Sequence, residues 1–164
     1  MSGKRLRLVF PLGIFLVSSL PAATVSFLVI ETGLREELGR AGYSSLWEDS
    51  LLDVFFEAGH IVSNAPIMRL SRFPSEDFPP EALADLSSAT DGGAEFFILA
   101  QLDYRLSGTD GEPAPRNIAL RVYRTRPYGL VYEERLEGLD ASAAKDESAR
   151  AKQFVRRLIP YIKN

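Results

Sequence analysis

The sequence predicts a single α/β domain: a mixed, largely antiparallel sheet packed with two to three helices. Three observations carry that reading. Thr24–Ile30 (TVSFLVI) is apolar and β-branched on both faces, as a strand in the middle of a sheet must be. Phe96–Leu106 alternates with period two, and two more strands follow it through turn-rich links, as in an antiparallel meander. Residues 46–58 and 142–159 instead repeat apolar side chains at three and four, the spacing of helices with one buried face.

Each element has its own local warrant. The first strand, 24–30, is ended by Glu31-Thr32-Gly33, and residues 34–44 read as a loop or the start of a helix. Ser45 and Glu48 have the spacing of a capping box, in which each side chain satisfies the other residue's backbone N–H. Leu51, Val54, Phe55 and Ala58 follow on one face, and Gly59 stands where a helix ends in a left-handed residue. Ile61-Val62 begins a second strand that Pro66 confines to an edge or breaks. A short helix opens at Pro80 or Glu81, with Leu83 and Leu86 as its apolar contacts, and stops at Asp91-Gly92-Gly93. The strand from Phe96 is apolar on both faces at first, then polar on one (Gln101, Asp103, Arg105), which predicts that it runs out of the core. Strands at 117–125 and 130–136 follow, joined by Pro127-Tyr128-Gly129. The last helix carries Ala151, Phe154, Val155, Leu158 and Ile162 on one stripe, and Pro160 ends or kinks it.

Ahead of this domain (24–164) lies a segment of a different kind. Lys4, Arg5 and Arg7 precede an uncharged run of 13 residues, Leu8–Leu20, and then Pro21-Ala22-Ala23. Basic, apolar, small is the order of a secretory signal, and the run falls short of the roughly 20 residues of a membrane span. Residues 1–23 therefore read as a signal peptide, or as an N-terminal anchor if uncleaved. Cutting after Ala22 or Ala23 puts Leu20 or Pro21 at the −3 position, a poor fit to a small-x-small site. The expected location is the periplasm, with inner-membrane attachment as the alternative, and any membrane contact is expected through this segment alone.

The bulk numbers narrow the function class. With 0 Cys there is no disulfide framework and no thiol to take a lipid, so stability rests on packing. Without the three basic residues of the leader the chain has 16 Lys+Arg against 22 Asp+Glu, a net of −6. That sign argues against nucleic acid as a partner. His60 is the 1 histidine, with no motif to orient it as a base, and reads as a plug at a helix end. Asp49, Asp53 and Glu57 form a row along one helix, a solvated face and not a metal cage. Gly92-Gly93 and Gly108-x-x-Gly111 lack the strand–loop–helix setting of a phosphate cradle. No nucleophile elbow or zinc motif occurs, so no enzyme activity, catalytic residue, metal or cofactor is predicted.

One sheet face is the candidate interface. If Ile118, Leu120 and Val122 face the core, Arg121 and Tyr123 face outward, with Asp103 and Arg105 beside them and Tyr132 joining from the last strand. Arg and Tyr are enriched in protein interfaces, and the plain alternative is a solvated face with cross-strand charge pairs. The rival site is a ligand pocket or active site where Glu31–Gly33 and His60–Asn64 would meet.

The run FLVIETG (27–33), the helix and its end LLDVFFEAGHIVSNAP (51–66), GGAEFFILAQLDYRL (92–106) and IALRVYRTRPYGLVYEERL (118–136) together form a pattern. It resembles the α/β domain shared by the N-terminal domain of the translocation protein TolB, the curli secretion lipoprotein CsgG and the periplasmic lipoprotein activator of penicillin-binding proteins. The resemblance implies a non-catalytic envelope module that binds partner proteins or self-assembles. It transfers no residue position by position. This chain lacks the lipoprotein cysteine, and no residues remain for TolB's β-propeller.

Overall fold

The computed structural model describes residues 22–33, 43–74, 78–105, 114–139 and 147–162. The leader through Pro21, residues 34–42, the glycines Gly108 and Gly111, and the proposed helix start at 142–146 lie outside the described residues. One mixed sheet of six strands organises the rest, in the order β2-β1-β4-β5-β6. β1 (Thr24–Thr32) is central, parallel on one side to β4 (Phe96–Arg105). On its other side it is parallel to β2 (Ile61–Asn64) and then β3 (Met68–Leu70), which follow one another along the same edge. The break between them falls at Ala65-Pro66-Ile67, so Pro66 splits an edge strand as its missing N–H requires. β5 (Ala114–Thr125) and β6 (Tyr128–Leu136) complete the sheet as an antiparallel meander from β4. β6 is therefore parallel to β1.

Both faces of the sheet are covered, which explains the continuous apolar run in β1. On the first face Val25, Phe27, Val29, Phe96, Ile98, Leu120 and Val122 pack under α1 (Tyr43–Glu57) and α3 (Glu147–Arg156). Trp47, Leu51 and Phe55 fill this layer from α1, with Phe154, Val155 and Leu158 from the C-terminal segment. Burying each such side chain stabilises the fold by roughly 1.5–3 kcal/mol, so this larger layer dominates stability. The second face is thinner. Leu28, Ile30, Phe97, Leu99 and Tyr123 pack against Ala82, Phe78 and Leu86, from the 3₁₀ turn Pro80–Ala82, its approach and α2 (Leu83–Asp91).

The helix ends follow from local chemistry. Gly59 takes φ +85° after α1; its N–H donates to the Phe56 carbonyl, and the His60 N–H donates to that of Phe55. This is a Schellman ending, with the His60 ring set against Phe55 at 6.1 Å. α2 closes on the same pattern, Gly93 to Thr90 and Ala94 to Ala89. The capping box does not form: Ser45 lies inside α1, and Glu48 accepts from Asn64 Nδ2 on β2. α3 gives way to 3₁₀ geometry ahead of Pro160, as Pro160 dictates. The row Asp49, Asp53, Glu57 is exposed, and its lower members meet α3, Asp53 with Lys152 at 2.7 Å and Glu57 with Arg156 at 4.0 Å.

Candidate functional site

The face expected to bind a partner is closed. Arg121 and Tyr123 do lie on one face with Gln101 and Asp103, as alternation requires, but Arg121 is 1% and Tyr123 2% exposed. Tyr123 is shut in by Phe78, which meets it edge-on at 5.1 Å, and by Tyr128 stacked at 5.8 Å. Arg121 is held from both sides, donating from Nη1 to Gln101 Oε1 at 2.5 Å and from Nε to Glu133 Oε1 at 2.6 Å. Asp103 is locked in a row across three strands: Thr32 Oγ1 donates to it at 3.2 Å and Asn117 Nδ2 at 2.9 Å. β4 thus does not run out of the core; its polar end is buried because its neighbours supply partners. Arg105 closes β4, and its side chain lies outside the described residues.

Tyr132 is on the opposite face from Arg121, and the cause is one residue. From the turn, Thr125 pairs Tyr128 and Tyr123 pairs Leu130, a register that would set Tyr132 opposite Arg121. A bulge after Leu130 shifts the pairing, so Tyr132 meets Val122 and Glu133 meets Arg121. Tyr132 instead stacks on Tyr161 at 3.9 Å, beside the first core. Glu133, which the sequence reading did not single out, is the electrostatic partner of that row. Burial alone would raise its carboxyl, but hydrogen bonds from Arg135 and Arg121 outweigh this and hold it below the ordinary carboxylate range.

Among the described residues the two halves of the rival pocket stand apart. Glu31–Gly33 lies at the end of β1, whereas His60 lies at its start, its Nδ1 accepting the Ala23 N–H at 3.2 Å. The length of β1 separates Glu31 from His60, and Asn64 at the other end of the His60–Asn64 segment is level with Phe27, short of Glu31. Around Glu31 there is instead a packed polar knot: Arg69 Nε donates to one carboxylate oxygen and Ser44 to the other, and Ser44 also meets the Tyr104 hydroxyl at 3.2 Å. Burial raises the Tyr104 phenol well above its ordinary value, so it remains a neutral hydroxyl.

Burial likewise lowers the His60 pKa, consistent with a ring nitrogen that must stay unprotonated to accept from Ala23. A folded-state pKa below the unfolded one adds stability that is complete above the ordinary value of 6.5 and lost as pH falls. Denaturant titrations of wild type and His60→Ala at about pH 7.5 and about pH 5 check this. The variant is expected to lose less stability on acidification than wild type; equal losses would exclude the role.

A cleft of about 500 Å³ opens between the end of α2 and the β5–β6 turn, lined by Glu95, Phe96, Arg124 and Arg126 among others. Its cations are engaged: Arg124 lies over the Phe96 ring at 5.8 Å, and Arg126 donates to the Thr90 carbonyl at 3.0 Å. Among the described residues there is no cluster of metal-ligating side chains and no helix long and apolar enough to cross a membrane. Of the large apolar residues left exposed, Ile61 (63%) and Phe56 (76%) of the adjoining helix lie at one edge of the sheet and Tyr128 (55%) with Leu130 (46%) at the other, while Leu83 on α2 and Tyr161 after α3 lie elsewhere.

These features define a class: a single mixed-sheet domain with helices on both faces, polar rows turned inward, and apolar residues left at its edges. No protein-family model matches the chain, and no curated protein matches it in sequence. Among solved structures it is similar to the PelC dodecamer from Paraburkholderia phytofirmans, with a TM-score of 0.50 and 16% identity over 90% of this chain and 95% of that one. TolB from Acinetobacter baumannii aligns over 90% of this chain and 31% of its own, with a TM-score of 0.42 and 12% identity. The likeness is one of fold.

Proposed function

We propose that this chain is an exported, non-catalytic envelope protein that works by associating with other protein chains, copies of itself first among them. The observation that carries the reading is the fold shared with PelC over nearly the whole of both chains, since PelC was solved as a dodecamer. The exposed apolar residues at the sheet edges support it, because a monomer gains nothing from leaving Phe56, Ile61 and Leu130 in water. The basic, apolar, small order of residues 4–23 supports export.

Size-exclusion chromatography with light scattering tests the association on protein recovered from the envelope. A mass of several chains at about 10 μM is the expected result, that being a concentration at which a specific micromolar interface is substantially occupied. A single-chain mass across the accessible concentrations would reject self-association. N-terminal sequencing of the same sample reads whether the leader is removed.

A further inference from the structure

We infer that copies of this chain join head to tail, the β6 edge of one against the β2 edge of the next, so that the sheet continues from copy to copy. The inference rests on the self-association reading and names the surfaces that would carry it. Its first support is direction. β2 is parallel to β1, and so is β6 through two antiparallel steps, so the two outer strands run the same way. A neighbour placed beside either edge in the same orientation adds a parallel strand to it.

Height is the second support. The pairing row Val62–Val25–Phe96–Arg124–Gly129 crosses the whole sheet, so β2 and the first half of β6 are level on opposite sides. Composition agrees with height. β2 is Ile-Val-Ser-Asn, and β6 opens with Tyr-Gly-Leu-Val, four residues each and neither carrying a charge. Edge strands that avoid pairing usually carry charges, prolines or inward-pointing lysines, and these two stretches have none. The charged stretch of β6, Glu133 to Arg135, lies beyond the reach of the four-residue β2.

Flanking charge is the third. Exposed Arg124 and Arg126 flank Tyr128 and Leu130, held by the Phe96 ring and the Thr90 carbonyl, neither of which cancels their charge, whereas Phe56 and Ile61 have Glu57 beside them, 4.0 Å from Arg156. The β6 end is cationic at Arg124 and Arg126 and the β2 end carries a balanced pair, so a second β6 end is the poorer match. Pairing β6 with β6 of a second copy over the whole strand would be antiparallel and would lay Tyr128–Val131 against Glu133–Leu136, apolar against charged. A contact between two different patches is heterologous, and it generates a ring when the rotation per copy closes and a filament when it does not. Main-chain hydrogen bonds would supply affinity, and the apolar pairs would supply register.

Two variants of the full chain test the edges separately. Ile61→Arg spoils the β2 edge and Leu130→Arg the β6 edge; both positions are exposed, so each chain should fold and give an unchanged circular-dichroism melt. Each variant alone is expected to fall to single-chain mass in light scattering. Mixed one to one they are expected to form a two-chain species, because each retains the edge that the other lacks. An assembly that survives either substitution, or a mixture that stays monomeric, would overturn the edge assignment while leaving self-association standing. A wild-type monomer would overturn both.

A second measurement holds even where those variants fold poorly. The chain has 0 Cys, so Val62→Cys combined with Gly129→Cys introduces the sole thiols, level with each other and on one face of the sheet. A side chain at Gly129 meets nothing within 4 Å. Under mild oxidation the double variant should give a ladder of disulfide-linked chains and each single variant should not. Absence of the ladder from an oligomeric sample counts against the pairing.

Discussion

Gly33→Ala is expected to be among the most damaging single-methyl changes in this protein. Gly33 takes φ +80°, and a Cβ built there would lie 1.9 Å from the Tyr104 carbonyl oxygen. The chain leaving β1 crosses the end of β4 so closely that only a hydrogen fits. A flexible side chain could step aside; a strand carbonyl cannot without disturbing the pairing of β4 with β5. The expected loss is about 3 kcal/mol or more, which for a domain of this size lowers the melting temperature by roughly 10 °C. Gly59→Ala is the control, because Gly59 has nearly the same φ and nothing within 4 Å of a Cβ. It should lose only the conformational strain, on the order of 1 kcal/mol. Equal losses at the two sites would show that dihedral strain, and not the close approach, is what matters at Gly33.

Glu133→Gln should be the most costly change among the charged side chains of β6. It leaves an acceptor for Arg121 but removes the negative charge opposite a guanidinium that has almost no access to water. Breaking a buried ion pair by removing one partner costs about 3–5 kcal/mol. Glu133 is partly exposed and Arg121 keeps its bond to Gln101, so about 2 kcal/mol is the expected loss near neutral pH. The pH dependence gives a second readout. The Glu133 carboxyl titrates below its ordinary 4.5 in the folded chain, so the stability it contributes is present above that pH and disappears as pH falls through the folded value. The gap between wild type and variant should therefore narrow in acid. Glu134→Gln, which loses an ion pair with a half-exposed Arg157, should cost less than about 1 kcal/mol. A gap at Glu133 that is constant from neutral to acid pH would show that the charge is not the cause.

These two sites also show where sequence reading succeeds and where it stops. The period and composition of β1 and β4, the stripe Leu51–Phe55 and the stop at Gly59 are local signals, and the elements appear where those signals place them. The rows Gln101–Arg121 and Thr32–Asp103–Asn117 were legible as faces but not as buried faces. Alternation tells which residues share a side of a sheet; what covers that side is set by distant segments, here Phe78 and α2. A polar residue with a partner on the neighbouring strand looks the same in sequence as one in water. Tyr132 and Glu133 exchanged sides because a bulge adds a single residue, and with a side-chain period of two a one-residue shift inverts the face. The capping box failed in a related way, since Glu48 found a better-placed donor in Asn64, 16 residues on. Pro66 marked the β2 strand as an edge, but β6 carried no such signal, because Leu130 looks like a core residue until the strand order makes its strand terminal.

The central place of β1 has a consequence for how the chain acquires its structure. The first strand has partners on both sides, and none of them is near it in sequence: β2 begins at Ile61 and β4 at Phe96. A strand in that position cannot satisfy its backbone until more than half of the chain has appeared, whereas β4, β5 and β6 are sequential neighbours. Closing the long loops costs entropy before the parallel pairing returns it, so the meander should form early and β1 should insert late. Hydrogen exchange during refolding would then protect Leu120 before Leu28. A chain that emerges from a translocation pore with its amino end first would leave one whole side of its leading strand unpaired until Phe96 had followed.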